Sequence, residues 1–332
     1  MAGGVRRRPA PDRGHQRLAV PARHPQPPDH RGSLRPARRR HRRGLAMRSP
    51  ADGLKPAEVI SYALMKTTKD EVCVVVEGTK DRDAFAAILR RPPSHCVPAR
   101  GKDAVIEVAE VIASTKKRRV IGIVDADELS ATGGSIEASC PVFTTDYRDL
   151  ESMLFFSPAG RRVLLQLFDA DIVSAIEGGQ GVDVRTWFAR QLAVVGAART
   201  LNASDDLWIS FANFPVAKYA DLRGLRLDAR SYLRDVATGS RRITDPAAFT
   251  RKVQDLLKRI APEKLTHGHD LTAFLATLAA GPRGAGGTPD QSAIEMALRA
   301  AYTPWDFRRT ELHGQLLAWS KDNVPIVLDP EE

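Results

Sequence analysis

The chain has 332 residues, 43% of them hydrophobic, with 50 Lys and Arg against 40 Asp and Glu for a formal net charge of +10. That length allows about two domains with a sizeable core, and no run approaches the ~18 consecutive apolar residues of a membrane helix. The charge is confined to one end: residues 1–50 hold 14 Arg, no Lys and two acids (Asp12, Asp29), whereas residues 51–332 hold 36 basic and 38 acidic side chains.

Residues 1–46 contain no Phe, Trp or Tyr but seven of the 22 prolines. Such a segment cannot bury enough apolar area to offset its ordering entropy, which predicts a disordered Arg/Pro-rich tail. Two readings of the tail stay open. It is a basic arm that contacts phosphates, or it is the translation of GC-rich DNA upstream of a true start at Met47. Its arginines are followed by no apolar segment, so it is not a secretory signal. Cys73, Cys96 and Cys140 form no Cys-x-x-Cys pair. They predict neither a disulfide framework nor a zinc site, but small buried hydrophobes in a cytoplasmic protein.

From Pro56 the pattern becomes regular. Pro56–Met65 has helical spacing with proline in the first turn. Val72–Val76 is a continuous β-branched run ended by Glu77-Gly78 and predicts a buried strand. Asp81–Leu89 predicts a helix, His95–Pro98 a short strand, and Ala104–Ala113 a helix capped by Asp103. Val120–Val124 predicts a second buried strand ending in Asp125-Ala126-Asp127, and Pro141–Thr144 a third. Asp146 is expected to open a helix running to Phe156. Strands alternating with helices predict a parallel α/β sheet covered on both faces, over residues 47–158.

Residues 159–332 read differently. Helical spacing recurs in Val163–Phe168, Trp187–Val195, Phe249–Ile260, Leu271–Leu278, Ile294–Ala300 and Leu312–Trp319, and predicts a mainly α-helical domain. All four tryptophans (Trp187, Trp208, Trp305, Trp319) lie there and are expected to anchor its core. Gly281–Pro289 predicts a surface loop. It lacks the Lys-Ser/Thr ending of a phosphate-binding P-loop, and no P-loop occurs elsewhere.

The acids carry the chemistry. Glu77, Asp125 and Asp127 each directly follow a predicted buried strand, and in an open parallel sheet ligands bind beyond the carboxyl ends of the strands. Asp149 and Glu151 follow the third strand. Crowded carboxylates repel one another, and Mg²⁺ or Mn²⁺ relieves that cost through hard oxygen ligands. On an extended strand, positions i and i+2 point the same way, which would set Asp125 and Asp127 side by side, and Gly78 would let the backbone turn sharply after Glu77. His267, His269 and Asp270 form a His-x-His-Asp cluster whose competing readings are a helix start, a substrate contact and a zinc site.

VCVVVEGTKD (Val72–Asp81), VIGIVDAD (Val120–Asp127) and TTDYRDLE (Thr144–Glu151) resemble a Toprim domain, in particular the OLD-like Toprim nucleases and a group within them still described as a domain of unknown function. THGHDL (Thr266–Leu271) resembles part of that group's helical C-terminal half. The resemblance implies a Toprim-type parallel sheet followed by a helical domain, and a metal-dependent nuclease hydrolysing phosphodiester bonds in DNA or RNA. Glu77, Asp81, Asp125 and Asp127 would be its catalytic acids. Glu77, Asp125, Asp127 and Glu151 would bind the metal, with Asp149 as the rival of Glu151. Lys102, Arg100 and His269 would meet the substrate. Members of the group act as effectors of bacterial anti-phage defence. OLD proteins carry their own ATPase domain; this chain lacks a P-loop, so an ABC-type ATPase would act in trans. Assembly as a homo-oligomer fits this picture, and no membrane is involved. The alternative is a catalytically inactive Toprim scaffold or binding module for an ATPase partner. A tyrosine-dependent strand-joining enzyme would use Tyr219, Tyr232 or Tyr302, none of which stands in a recognisable motif.

Overall fold

A computed structural model of the chain describes residues 54–66, 70–90, 94–115, 119–134, 136, 138 and 140–327. The expectations for residues 1–46 and for Met47 lie outside these residues. In chain order the sheet region comprises α1 (Pro56–Lys66), β1 (Val72–Val76), α2 (Thr79–Ile88), β2 (Ser94–Pro98), α3 (Lys102–Ser114), β3 (Arg119–Val124), α4 (Leu129–Thr132) and β4 (Val142–Thr144). The helical region follows as α5 (Leu150–Phe156), α6 (Pro158–Leu167), α7 (Ala170–Gln180) and α8 (Val184–Ser204). A two-stranded hairpin, β5 (Ala220–Asp221) and β6 (Arg226–Leu227), precedes α9 (Ala229–Gly239), α10 (Pro246–Arg259), α11 (Pro262–Leu265), α12 (Gly268–Ala279), α13 (Gln291–Ala301), α14 (Pro304–Phe307) and α15 (Glu311–Lys321).

The four-stranded sheet is parallel throughout, in the order β2-β1-β3-β4. All five residues of β1 are buried because both sheet faces are covered. Their alternation divides them between two cores. Cys73 and Val75 join Val120, Val124, Val105, Val108 and Val59 under α1 and α3. Val72, Val74 and Val76 join Ile121, Ile123, Phe85 of α2 and Met153 of α5. That second core continues without a break through Phe188 of α8, Phe274 of α12 and Leu298 of α13. The helical region is therefore packed onto one face of the sheet. The chain leaves β1 toward β2 on one side and returns through α3 to β3 on the other, so the switch point of the sheet lies between β1 and β3.

Three local expectations need correction. α3 is capped by Gly101, not Asp103; Gly101 sits at φ +89°, a left-handed conformation that glycine adopts freely. The helix after β4 begins at Leu150 with Asp149 as its cap. Asp146 instead accepts from the backbone N–H groups of Glu311 and Leu312 at 2.7 and 2.8 Å and caps α15 across the fold. Of the tryptophans, Trp187 is buried and Trp319 half-buried, but Trp208 and Trp305 are 71% and 60% exposed, their rings stacked under Arg242 and under Arg308 and Arg309. α7, α9 and the hairpin β5–β6 are elements that the apolar spacing did not mark.

Candidate active site: a carboxylate crevice at the switch point

Glu77 and Asp125 follow the last residues of adjacent strands. Val76 pairs with Ile123 in the β1–β3 register, which brings the two chain ends together. Glu77 Oε1 accepts from the Asp125 backbone N–H at 2.8 Å, and Asp125 Oδ1 accepts from the Leu150 N–H at 3.0 Å, at the start of α5. Asp81, in the first turn of α2, accepts from the Gly78 N–H at 2.7 Å. Gly78 itself is extended (φ −139°), so the turn after Glu77 does not depend on glycine's conformational freedom.

Asp125 and Asp127 do not lie side by side. β3 ends at Val124, and Asp127 sits at φ +49°, which an aspartate tolerates. Strand alternation therefore no longer applies. Asp125 turns toward α5, whereas Asp127 turns to α3, where it pairs with Lys102 Nζ at 2.5 Å. Arg100 is exposed beyond the end of β2.

α5 contributes two more acids. Asp149 Oδ1 accepts from the Ser152 N–H at 2.8 Å and from its hydroxyl at 2.7 Å. Asp149 Oδ2 accepts from the Gly268 N–H at 2.8 Å. Glu151 is buried, with Arg299 Nη1 of α13 at 3.9 Å. This arrangement requires α12 to approach α5 closely: a Cβ on Gly268 would stand 2.4 Å from Asp149 Oδ1 and 2.5 Å from Glu151 Cβ. His267 and His269 flank that contact. His269 Nε2 is 3.9 Å from Glu295 Oε1 of α13, and Glu295 is also bonded by Lys80 Nζ of α2 at 2.5 Å.

The electrostatics follow from crowding. Burial pushes Asp125 well above the usual carboxylate range, and Asp149, Asp81, Glu77 and Glu151 push it further. Burial raises Glu77 too, against the Asp125 N–H, and Asp127 adds to the rise. Asp81 is raised by burial. Glu151 is raised by burial and then by Asp149. Glu295 moves the other way: the hydrogen bonds from Lys80 and Gln291 outweigh its burial. Burial holds His267 below the ordinary imidazole value.

Of the expected residues, the fold gathers Glu77, Asp81, Asp125 and Glu151 around one crevice. Asp127 and Lys102 stand at its margin as an ion pair, and His269 stands on the α12 side. The tightest ligand groupings among the described residues are others. The ligand atoms of Asp149, His267 and His269, and those of Glu151, His269 and Glu295, lie within 4.8 Å of one another. Glu295, Arg299 and Lys80 were not singled out from the sequence. Glu295 and Arg299 are four residues apart on α13, one helical turn, but that spacing is common on solvated faces and carried no signal. Tyr232 and Tyr302 are buried, and burial pushes both hydroxyls up, which does not suit a nucleophile.

The fold and site thus define an α/β protein with a parallel sheet and a part-buried carboxylate cluster at its switch point. No family model matches the chain, and no curated protein matches it. Among the described residues no helix is long and apolar enough to cross a membrane.

Proposed function

We propose that the chain is a metal-dependent, Toprim-type nuclease that hydrolyses phosphodiester bonds in DNA or RNA. The observation that carries this reading is the meeting of Glu77, Asp81, Asp125 and Glu151, with Asp149, at the switch point, where burial raises the pKa of Glu77, Asp81, Asp125 and Glu151 and neighbouring carboxylates add to the rise at Glu77, Asp125 and Glu151. Hard oxygen donors crowded in this way fit Mg²⁺ or Mn²⁺, which would be held by Glu77, Asp125 and Glu151; Asp127 would join them only by giving up its ion pair with Lys102. When bound, such an ion polarises a phosphoryl oxygen and favours attack by water. The chain's own groups supply the rest. Glu77 Oε1 is held by the Asp125 N–H, which leaves Oε2 to bind the ion or to carry a proton, and burial, by raising its pKa, favours the protonated form. Lys102, Arg299 and the exposed Arg100 supply positive charge around the crevice for the phosphate backbone. The resemblance to OLD-like Toprim proteins extends the proposal to an anti-phage effector working with an ATPase in trans.

The test is hydrolysis of plasmid, single-stranded DNA and tRNA in Mg²⁺ or Mn²⁺, with the ATPase partner added where its gene adjoins. Loss of cleavage in Glu77→Gln and Asp125→Asn is expected. Equal cleavage by wild type and both variants, or none by any of them, would overturn the reading. A second reading, a non-catalytic scaffold, is favoured by the Lys102–Asp127 pair, which already neutralises one of the acids the chemistry needs. It predicts no thermal stabilisation by Mg²⁺ or Mn²⁺.

A further inference from the structure

The start of α12 holds two imidazoles, His267 and His269, that the crevice chemistry does not use, beside Asp149 at the edge of the crevice. His267, His269 and Asp149 present three ligand atoms within 4.8 Å of one another. We propose that these three residues form a second cation site, one that takes a divalent transition metal of zinc type rather than Mg²⁺.

Four observations support it. The first is donor chemistry: imidazole nitrogens suit zinc, cobalt and nickel, whereas Mg²⁺ prefers oxygen. The second is an unsatisfied atom. His267 Nδ1 is buried and makes no hydrogen bond. It lies 3.9 Å from Asp149 Oδ2 and 4.0 Å from Asp270 Oδ2, too far to bond either. Two ligands on one tetrahedral ion stand ~3.3 Å apart, so each atom needs to shift by less than about 1 Å to close on a shared ion. The third is orientation. Asp149 is fixed by the Ser152 N–H, the Ser152 hydroxyl and the Gly268 N–H, the kind of outer hydrogen bonding that aims a ligand. Only glycine at 268 permits this approach, because a Cβ there would strike Asp149 Oδ1. The fourth is access. His269 is 52% exposed and leaves one side of the triad open to solvent, as a catalytic or exchangeable site requires.

Two neighbours are excluded as ligands by their partners. Arg199 clamps both oxygens of Asp270 at 2.6 and 2.8 Å, so the adjacent acid in the His-x-His-Asp run is not the third ligand. Glu295, which would form the competing triad with Glu151 and His269, has its charge met by the Lys80 ammonium at 2.5 Å, whereas Asp149 is held only by neutral donors. The proposed site draws on none of Glu77, Asp125, Asp127 or Glu151, so its failure and that of the nuclease reading are separable.

The test is cobalt(II) titration of the full chain after chelator treatment, read by the visible ligand-field absorption and by equilibrium dialysis. One Co²⁺ per chain is expected, displaced by Zn²⁺ and not by excess Mg²⁺. Binding should weaken by more than about 100-fold in His267→Ala and in His269→Gln, beyond the ~10- to 100-fold effect of losing an outer partner. The exposed His269 keeps the test valid if His267→Ala does not fold. Asp125→Asn, Glu77→Gln and Glu295→Gln should bind Co²⁺ as the wild type does. Absence of the absorption band, its survival in His269→Gln, or its loss in Glu295→Gln or Asp125→Asn would overturn the proposal.

Discussion

Asp125 and Asp235 carry the same side chain in opposite surroundings. Asp235, on α9, is held below the ordinary carboxylate range by hydrogen bonds from Lys218 and Arg234. Asp205 is lowered by Lys252, and Asp221 by the Gly224 N–H and by Arg226. Each of these three carboxylates has met a donor or a cation. In the crevice, Glu77, Asp81, Asp125 and Glu151 are raised, all four first by burial, with Asp127 adding to the rise at Glu77 and Asp149 at Asp125 and Glu151. A protein of marginal stability does not keep crowded charges of one sign out of water without cause. The contrast separates acids that the fold has paired from acids that it leaves crowded.

The sharpest way to break this contrast is activity. Asp125→Asn should lower the initial rate of nucleic-acid hydrolysis at least about 100-fold. Asp235→Asn should leave it unchanged within about twofold. Equal losses in both would remove the distinction between the two regions.

The next effect is metal-linked stability. Mg²⁺ at 100 times its dissociation constant should stabilise the wild type by about 2.7 kcal/mol in denaturant titrations, and Asp125→Asn far less. In chelator the order should reverse, with Asp125→Asn the more stable of the two because one of the crowded charges is gone.

The two regions should also have opposite pH slopes. Asp125 has a folded pKa above its ordinary value of 3.8, so the folded state binds more protons than the unfolded one between those values. Its contribution is present at low pH and is lost as pH rises. The metal-free advantage of Asp125→Asn over wild type should therefore grow as pH rises above 3.8. Asp235 has a folded pKa below 3.8, so its contribution is present above that value and is lost as pH falls. The gap between wild type and Asp235→Asn should shrink below pH 4. Melting temperatures of the three proteins across the pH range measure both slopes.

Gly268→Ala sharpens the geometry of the α12 side. Overpacking against Asp149 and Glu151 should cost about 1–3 kcal/mol in denaturant titrations. The smallest effect is expected at Asp146, where an alanine leaves the Thr310 cap of α15 in place but removes the acceptors of the Glu311 and Leu312 N–H groups, and costs about 1 kcal/mol by the same measurement.

Much of the sheet was legible because its signals are local. Val72–Val76 and Val120–Val124 are apolar on both faces, so their burial and strand character are written in consecutive residues. The position of Glu77 and Asp125 at strand ends followed directly from those boundaries. The orientation of Asp127 did not, because strand periodicity stops at Val124 and Asp127 itself is left-handed. Asp146 misled for a related reason. Its spacing to the next apolar run suits a local cap, but its partners lie 165 and 166 residues away. Trp208 and Trp305 misled because size predicts burial only on average, and both rings are covered by arginine rather than by core.

Residue type and short-range period decided the strands, most helices and which acids stand at the sheet's carboxyl edge, since each depends on neighbours within a few positions. Only the tertiary structure decided what those acids meet. The packing of the helical region on one sheet face brings Gly268 against Asp149, Arg299 toward Glu151 and Lys80 to Glu295, at sequence separations of 119, 148 and 215 residues. Electrostatic energy depends on distance and burial, not on order along the chain. Neither quantity exists until the core beneath α5, α12 and α13 has closed.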